Sequence, residues 1–279
     1  MPDLKIAIML GNLKMDPYEG MKVVADMGVP AIHLSASGPF APDKLDAAGR
    51  KKLAAHLQSL GLEISAISAW GGNVDLGEKD KQAENVAAGK RLLQLSKDLG
   101  PAIWQAHVGI MPHQTADPRW QAFVDSFKRL AEEGEKIGAC LAIETGPEPP
   151  AVVKRLIETV GSETIRVNYD PANLILWPAR YMKDAGGPYD KEKAMREYQP
   201  TEGVKVLGEY IVHTHAKDAL VHEGGQRQEV PLGTGWVEWP RYVELLRGAG
   251  YDGYFAIERE TGKDPVGDIR RAVEFLRSL

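Results

Sequence analysis

Residues Cys140–Asp170 read CLAIETGPEPPAVVKRLIETVGSETIRVNYD. Two short runs rich in Ile, Val and Ala, Cys140–Thr145 and Ile165–Asp170, flank a segment long enough for a crossover helix. Each run also carries a carboxylate near its end, Glu144 in the first and Asp170 in the second. Outward from this unit the alternation continues in both directions. Leu4–Leu10, Ala31–Ala36, Glu63–Trp70 and Ala102–Val108 precede it, and Tyr210–Asp218 and Tyr254–Glu260 follow, which makes eight strand candidates. The intervening segments carry apolar stripes at helical spacing, such as Trp120, Phe123, Val124, Phe127 and Leu130, or Ile269, Val273 and Leu276. Gly28, Gly61, Gly100, Gly138 and Gly250 stand just before strands, where helices are expected to close.

Eight β/α units in one chain of this length predict a closed (β/α)₈ TIM barrel, for which about 250 residues is typical. The domain is expected to span residues 1–279, since the densest Gly/Pro stretch, Gly186-Gly187-Pro188, is short and reads as a loop. An open nucleotide-binding sheet would call for a Gly-rich turn after the first strand, and Gly11-Asn12-Leu13 is not one.

In such a barrel, side chains from several strands converge at the C-terminal mouth. Glu144, Asp170, His215 (in YIVHTHAKD) and Glu258 (in YFAIERE) all fall there, one from each of the last four barrel strands. Three carboxylates and an imidazole form a mixed oxygen/nitrogen set suited to one divalent cation. Nearby strand ends add candidate substrate contacts: His33, Trp70, His107 and Lys217, with Asn173 just beyond Asp170. Two-residue spacing keeps His213, His215 and Lys217 on one strand face, with His213 deeper, either hydrogen-bonded in the core or touching substrate. Lys217 is open to binding a substrate oxygen or anion, or to pairing with Asp218 or Glu144. Trp70 either stacks on a sugar or packs. Asn173 either touches substrate or caps a helix. The segment 177–200, with Tyr181, Tyr189 and Tyr198, reads as a long loop: a lid, a subunit contact or a solvated excursion.

Composition narrows the function classes. A formal net charge of -5 gives no electrostatic reason to expect a nucleic-acid partner. The start, Met1-Pro2-Asp3-Leu4-Lys5, lacks a basic and then apolar leader, and no apolar run is long enough to span a bilayer, so no membrane association and a cytoplasmic location are expected. The single cysteine, Cys140, has no partner for an internal disulfide and is expected to be a buried structural thiol.

At AIETG, NYDPAN, HTHAKDA, PLGTGWVEW and GYDGYFAIE the chain resembles the xylose isomerase-like TIM barrels, the sugar isomerases and epimerases that also include endonuclease IV, and the likeness covers nearly the whole chain. The resemblance implies that Glu144, Asp170, His215 and Glu258 hold one metal ion, Mn²⁺ foremost, with Mg²⁺, Co²⁺ or Zn²⁺ as alternatives. It implies a carbohydrate substrate and a homo-oligomer. It also implies that Glu144 and Glu258 are catalytic, exchanging protons on opposite faces of an α-hydroxyketone through an enediolate. A lyase or dehydratase expelling a β-leaving group from the same enediolate is the main rival. The chain departs from ketose 3-epimerases at Asn173, Val221 and Pro150, where those enzymes carry His, Arg and Glu. Lys217-Asp218 looks more like the inosose and keto-sugar branch, which points to a cyclic polyol ketone, a keto-glycoside or a small keto-acid. The extra histidines of the three-zinc endonucleases are largely missing.

Overall fold

The computed structural model describes residues 3–70 and 74–279; Met1 and Pro2, from the opening stretch considered above, lie outside them. The strands are β1 (Lys5–Met9), β2 (Ala31–Ser35), β3 (Glu63–Ser68), β4 (Ile103–Ala106), β5 (Cys140–Glu144), β6 (Ile165–Tyr169), β7 (Ile211–Ala216), β8 (Asp218–Val221), β9 (Arg227–Val230) and β10 (Tyr254–Ile257). Eight of them close into a parallel barrel in the order β1-β10-β7-β6-β5-β4-β3-β2, the (β/α)₈ TIM barrel that the alternation predicts. The helices are α1 (Pro17–Asp26), α2 (Ala47–Ser59), α3 (Gln82–Leu99), α4 (Pro118–Ile137), α5 (Pro150–Val160), α6 (Asn173–Asp184), α7 (Lys191–Tyr198), α8 (Val204–Leu207), α9 (Trp239–Gly248) and α10 (Pro265–Arg277). No helix among the described residues is long and apolar enough to cross a membrane.

Local chemistry explains the helix ends. Asp16, Asp117 and Asp264 each precede a proline at the first helical position, and each side chain accepts an N–H of the first turn, so the cap satisfies donors that the helix itself leaves free. At the other end of α4, Gly138 takes φ +70°, a left-handed conformation that costs a glycine little, and its N–H bonds to the Gly134 carbonyl.

Burial divides the barrel strands by face. Ile6, Ile8, Ile32, Leu141, Ile143, Val167 and Ile257 join the large apolar core that includes α4, α5 and α10 residues. Ala7, Ala31 and Ala256 form a small cluster of their own on neighbouring strands, and leave little bulk on that part of the barrel. Farther along, β2, β3, β6 and β7 bury polar groups: His33, Ser65, Asn168, His213 and His215.

Two elements differ from the sequence expectation. The run Tyr210–Asp218 is not one strand: β7 ends at Ala216, and Asp218 opens β8, which pairs antiparallel with β9 outside the barrel. The break is held by Asp218 itself. Its Oδ1 accepts the N–H groups of Ala219 and Val237, at 2.9 and 3.2 Å. Its Oδ2 accepts those of Gly233 and Gly235, both at 3.0 Å, and the Trp239 indole N–H at 3.1 Å. A Cβ on Gly235 would overlap this carboxylate, so the turn needs glycine there. The second difference is segment 177–200, which is mostly helical, contributing to α6 and forming α7, rather than one long loop. Pro178 inside α6 and the Gly186-Gly187-Pro188 break hid that periodicity.

Candidate active site

The last four barrel strands bring Glu144, Asp170, His215 and Glu258 together. One ligand atom from each lies within 4.8 Å of all the others, and all four residues are buried. Glu144 closes β5 and Asp170 follows β6, whereas His215 stands on β7 and Glu258 follows β10. His215 Nδ1 faces the three carboxylates: 3.3 Å from Glu144 Oε1, 3.7 Å from Asp170 Oδ2 and 2.9 Å from Glu258 Oε2.

Whether this set suits a metal ion is tested by its unused atoms. Asp170 Oδ2, His215 Nδ1 and Glu258 Oε2 are buried without an aligned hydrogen bond, a costly arrangement for polar atoms unless something charged sits between them. The other oxygen of Asp170 is occupied, since Oδ1 accepts the N–H groups of Ala172 and Asn173 at 2.8 and 3.0 Å, which aims Oδ2 at the cluster. The donor set therefore fits a divalent cation held by oxygen and imidazole.

The electrostatics agree. Burial opposes charge on every member, yet Glu258 and Glu144 outweigh it at His215 and hold that imidazole well above its ordinary value. Burial likewise opposes the Glu258 carboxylate, but Lys217 and His215 hold it well below the usual range. Glu144 is also lowered, His107 and His215 overcoming its burial. At Asp170 burial prevails over His215 and Lys217, and the carboxyl is raised. The protein alone thus places a proton on His215 where a cation would otherwise balance the carboxylates.

Glu144 is fixed by neighbours from β4, from the residue just beyond it and from α6. Its Oε1 accepts Asn173 Nδ2 at 3.0 Å, its Oε2 accepts Gln105 Nε2, and His107 Nε2 stands 3.3 Å from Oε2. Asn173 therefore reaches a candidate ligand from the first turn of α6 and does not cap that helix. Replacing it with alanine is expected to weaken metal binding about tenfold, the usual scale for a residue that orients a ligand, while thermal unfolding stays close to wild type. Calorimetric titration of metal into both proteins measures this.

A cavity of about 490 Å³ opens over the cluster. Trp70, Gln105, His107, Glu144, Glu258 and Glu260 line it, together with Ser35, Ser37 and Ser68. Trp70 packs edge-on against Trp104 at 4.5 Å and holds φ +65°, strained for a non-glycine residue, while remaining in the cavity wall. His33 is placed differently. It lies in the middle of β2, fully buried, with Nδ1 3.3 Å from His215 Nε2, and so stands behind the cluster rather than in the cavity wall. His213 is a hydrogen-bonded core residue: Nδ1 meets Asn168 Oδ1 at 2.8 Å and Nε2 meets Ser65 Oγ at 3.1 Å. Lys217 pairs with neither Asp218 nor Glu144. Its ammonium contacts Glu260 at 2.6 Å and Glu258 at 3.3 Å, and these carboxylates with Asp170 outweigh burial and keep it charged. Cys140 begins β5, far along the strand from Glu144, and burial pushes its thiol up to about 12, which leaves it inert.

Gln105 and Glu260 were not singled out from the sequence. The available signal was two-residue spacing: Gln105 precedes His107 by two, and Glu260 follows Glu258 by two.

The family model for the xylose isomerase-like TIM barrel matches residues 21–279. Among curated relatives, L-ribulose-5-phosphate 3-epimerase UlaE of Escherichia coli K12 is 24% identical over 212 residues, covering 73% of this chain and 67% of that protein. Among solved structures, a xylose isomerase domain protein from Planctomyces limnophilus superposes with TM-score 0.79 at 24% identity, over 99% of this chain and 96% of that one. A xylose isomerase-like TIM barrel protein from Mycobacterium smegmatis, in complex with magnesium, gives 0.74 at 18% identity, over 100% and 98%.

Proposed function

Because this chain belongs to the xylose isomerase-like TIM barrel family, we propose that it is a divalent-metal-dependent isomerase or epimerase acting on a keto-sugar or a cyclic polyol ketone. The observation that carries this reading is a division within the ligand set. Glu144 and Glu258 line the cavity, whereas Asp170 and His215 are absent from its wall and lie beneath. Two carboxylates are thus available both to a cation and to a substrate proton. They enter from β5 and from the end of β10, strands separated in the barrel by β6 and β7, so a substrate between them presents one face to each.

A divalent ion held by Glu144, Asp170, His215 and Glu258 would supply positive charge beside the substrate carbonyl and so ease loss of a proton from the neighbouring carbon. Mn²⁺ is the ion we favour; Mg²⁺, Co²⁺ and Zn²⁺ suit the same donors. The residues of the chain do the rest. Glu258 removes or returns a proton at one face and Glu144 at the other, while Asn173, Gln105 and His107 keep Glu144 in place. Lys217, charged beside Glu258, keeps that carboxylate ionised. Trp70 offers an apolar wall and the three serines offer hydroxyls to a polyol.

The test is metal content of the purified protein, followed by solvent-deuterium exchange into ketoses, inososes and keto-glycosides with and without Mn²⁺. Metal-dependent exchange at carbon next to the carbonyl is expected. Metal binding with no exchange in any compound would favour a lyase or hydrolase, and a protein that binds no divalent ion would overturn the assignment.

A further inference from the structure

We propose that His33 is a positioning residue that holds His215 in the ring orientation and tautomer a metal ion needs, an inference that rests on the metal reading above. His215 Nδ1 faces Glu144, Asp170 and Glu258, so Nδ1 is the nitrogen that must offer its lone pair to a cation. The proton of the neutral ring then sits on Nε2, 3.3 Å from His33 Nδ1 and aligned with it as a hydrogen bond. His33 Nδ1 must accept, which places the His33 proton on its own Nε2.

Among the described residues, no other hydrogen-bond partner meets His215 Nε2. Metal-bound histidines usually donate their second N–H to a carboxylate or a backbone carbonyl. Here a fully buried imidazole takes that place. His213 fixes it in turn: the His33 and His213 rings meet edge-on at 4.8 Å. The three histidines are close enough together to suggest a second metal site. His213, however, has both nitrogens engaged, by Asn168 and Ser65, and has no lone pair to spare without losing one of those bonds. The trio therefore supports the site above it. The sub-barrel position also explains why His33 is absent from the cavity wall while Ser35, two residues farther along β2, is part of it.

The experiment compares His33→Leu, which removes the acceptor, with His33→Asn, whose Oδ1 can occupy the place of Nδ1. Zn²⁺ is titrated calorimetrically into EDTA-treated protein, and the nitrogen carrying the His215 proton is read from imidazole ¹⁵N shifts in the zinc-loaded state. Zn²⁺ binding is expected to weaken ten- to a hundredfold in His33→Leu and to return to within about threefold of wild type in His33→Asn. The Nε2–H form of His215 is expected in wild type and in His33→Asn. A purely structural role would lower the unfolding temperature of both variants without this rescue. Wild-type affinity in a folded His33→Leu, in a protein whose Glu258→Gln variant loses zinc, would overturn the inference and leave the metal site standing. Failure of wild type to bind zinc or any other divalent ion would overturn both.

Discussion

Glu258→Gln is expected to abolish measurable exchange of substrate protons, with kcat reduced about a thousandfold or more. Two losses combine in one atom. The amide cannot act as a base at neutral pH, and a positioned acid or base contributes roughly 10² to 10⁴ in rate. It also removes one of three carboxylates from a set in which His215 Nδ1 lies 2.9 Å away, so metal affinity falls with the rate. Lys217 keeps its 2.6 Å partner Glu260 and is not left as a lone buried cation, so the fold is expected to survive the change. Metal analysis and deuterium wash-in on the same preparation separate the two losses. Retention of both metal and full turnover would remove Glu258 from the mechanism, and retention of metal with lost turnover would assign it a proton-transfer role alone.

The second large effect concerns stability and lies away from the ligands. Glu148, in the turn after β5, is almost fully buried, and its Oε1 accepts the Met111 N–H at 2.6 Å, tying the loop after β4 to the loop after β5. Burial raises this carboxyl to about 8, only partly offset by the Met111 N–H. A folded-state value above the unfolded one means that the folded chain binds the proton more tightly. The resulting stability is complete below about pH 4.5, and it is lost as pH rises through about 8. A shift from 4.5 to about 8 corresponds to roughly 4–5 kcal/mol at most. Glu148→Gln keeps an oxygen acceptor and cannot ionise. Its unfolding temperature should match wild type near pH 5 and exceed it at pH 9 by on the order of 10 °C. Parallel melting curves for the two proteins across that range, with no divergence above pH 8, would show that Glu148 ionises without penalty.

Much of the architecture was legible because barrel strands and their covering helices obey simple periods, and because glycine marks helix ends. The four clustered side chains were legible for a related reason: each lies at or near the end of an apolar run, the one place where a chain of this alternation brings distant segments together. What lay beyond reach was depth. His33 and Ser35 share a face of β2, yet one is buried behind His215 and the other, two residues farther along the strand, lines the cavity. Partner choice was equally hidden. Lys217 pairs with Glu260 because the chain turns out of the barrel at Asp218, whose carboxylate is already filled by donors from the turn at 233–239. No local pattern encodes those long-range bonds. Pro178 likewise disguised a helix as a loop.

The cavity wall is asymmetric in its origin along the chain. Apart from Glu144, Glu258 and Glu260, its lining comes from residues 9 to 107, from Met9 through Ser35, Trp70 and Arg91 to His107, whereas every candidate ligand comes from residue 144 onward. The first region also carries His33, Gln105 and His107, which steady His215 and Glu144 of the second. Recombination between relatives near residues 108–139 would therefore exchange the wall that admits a substrate, and would preserve reactivity only where those three supports match the ligands they hold.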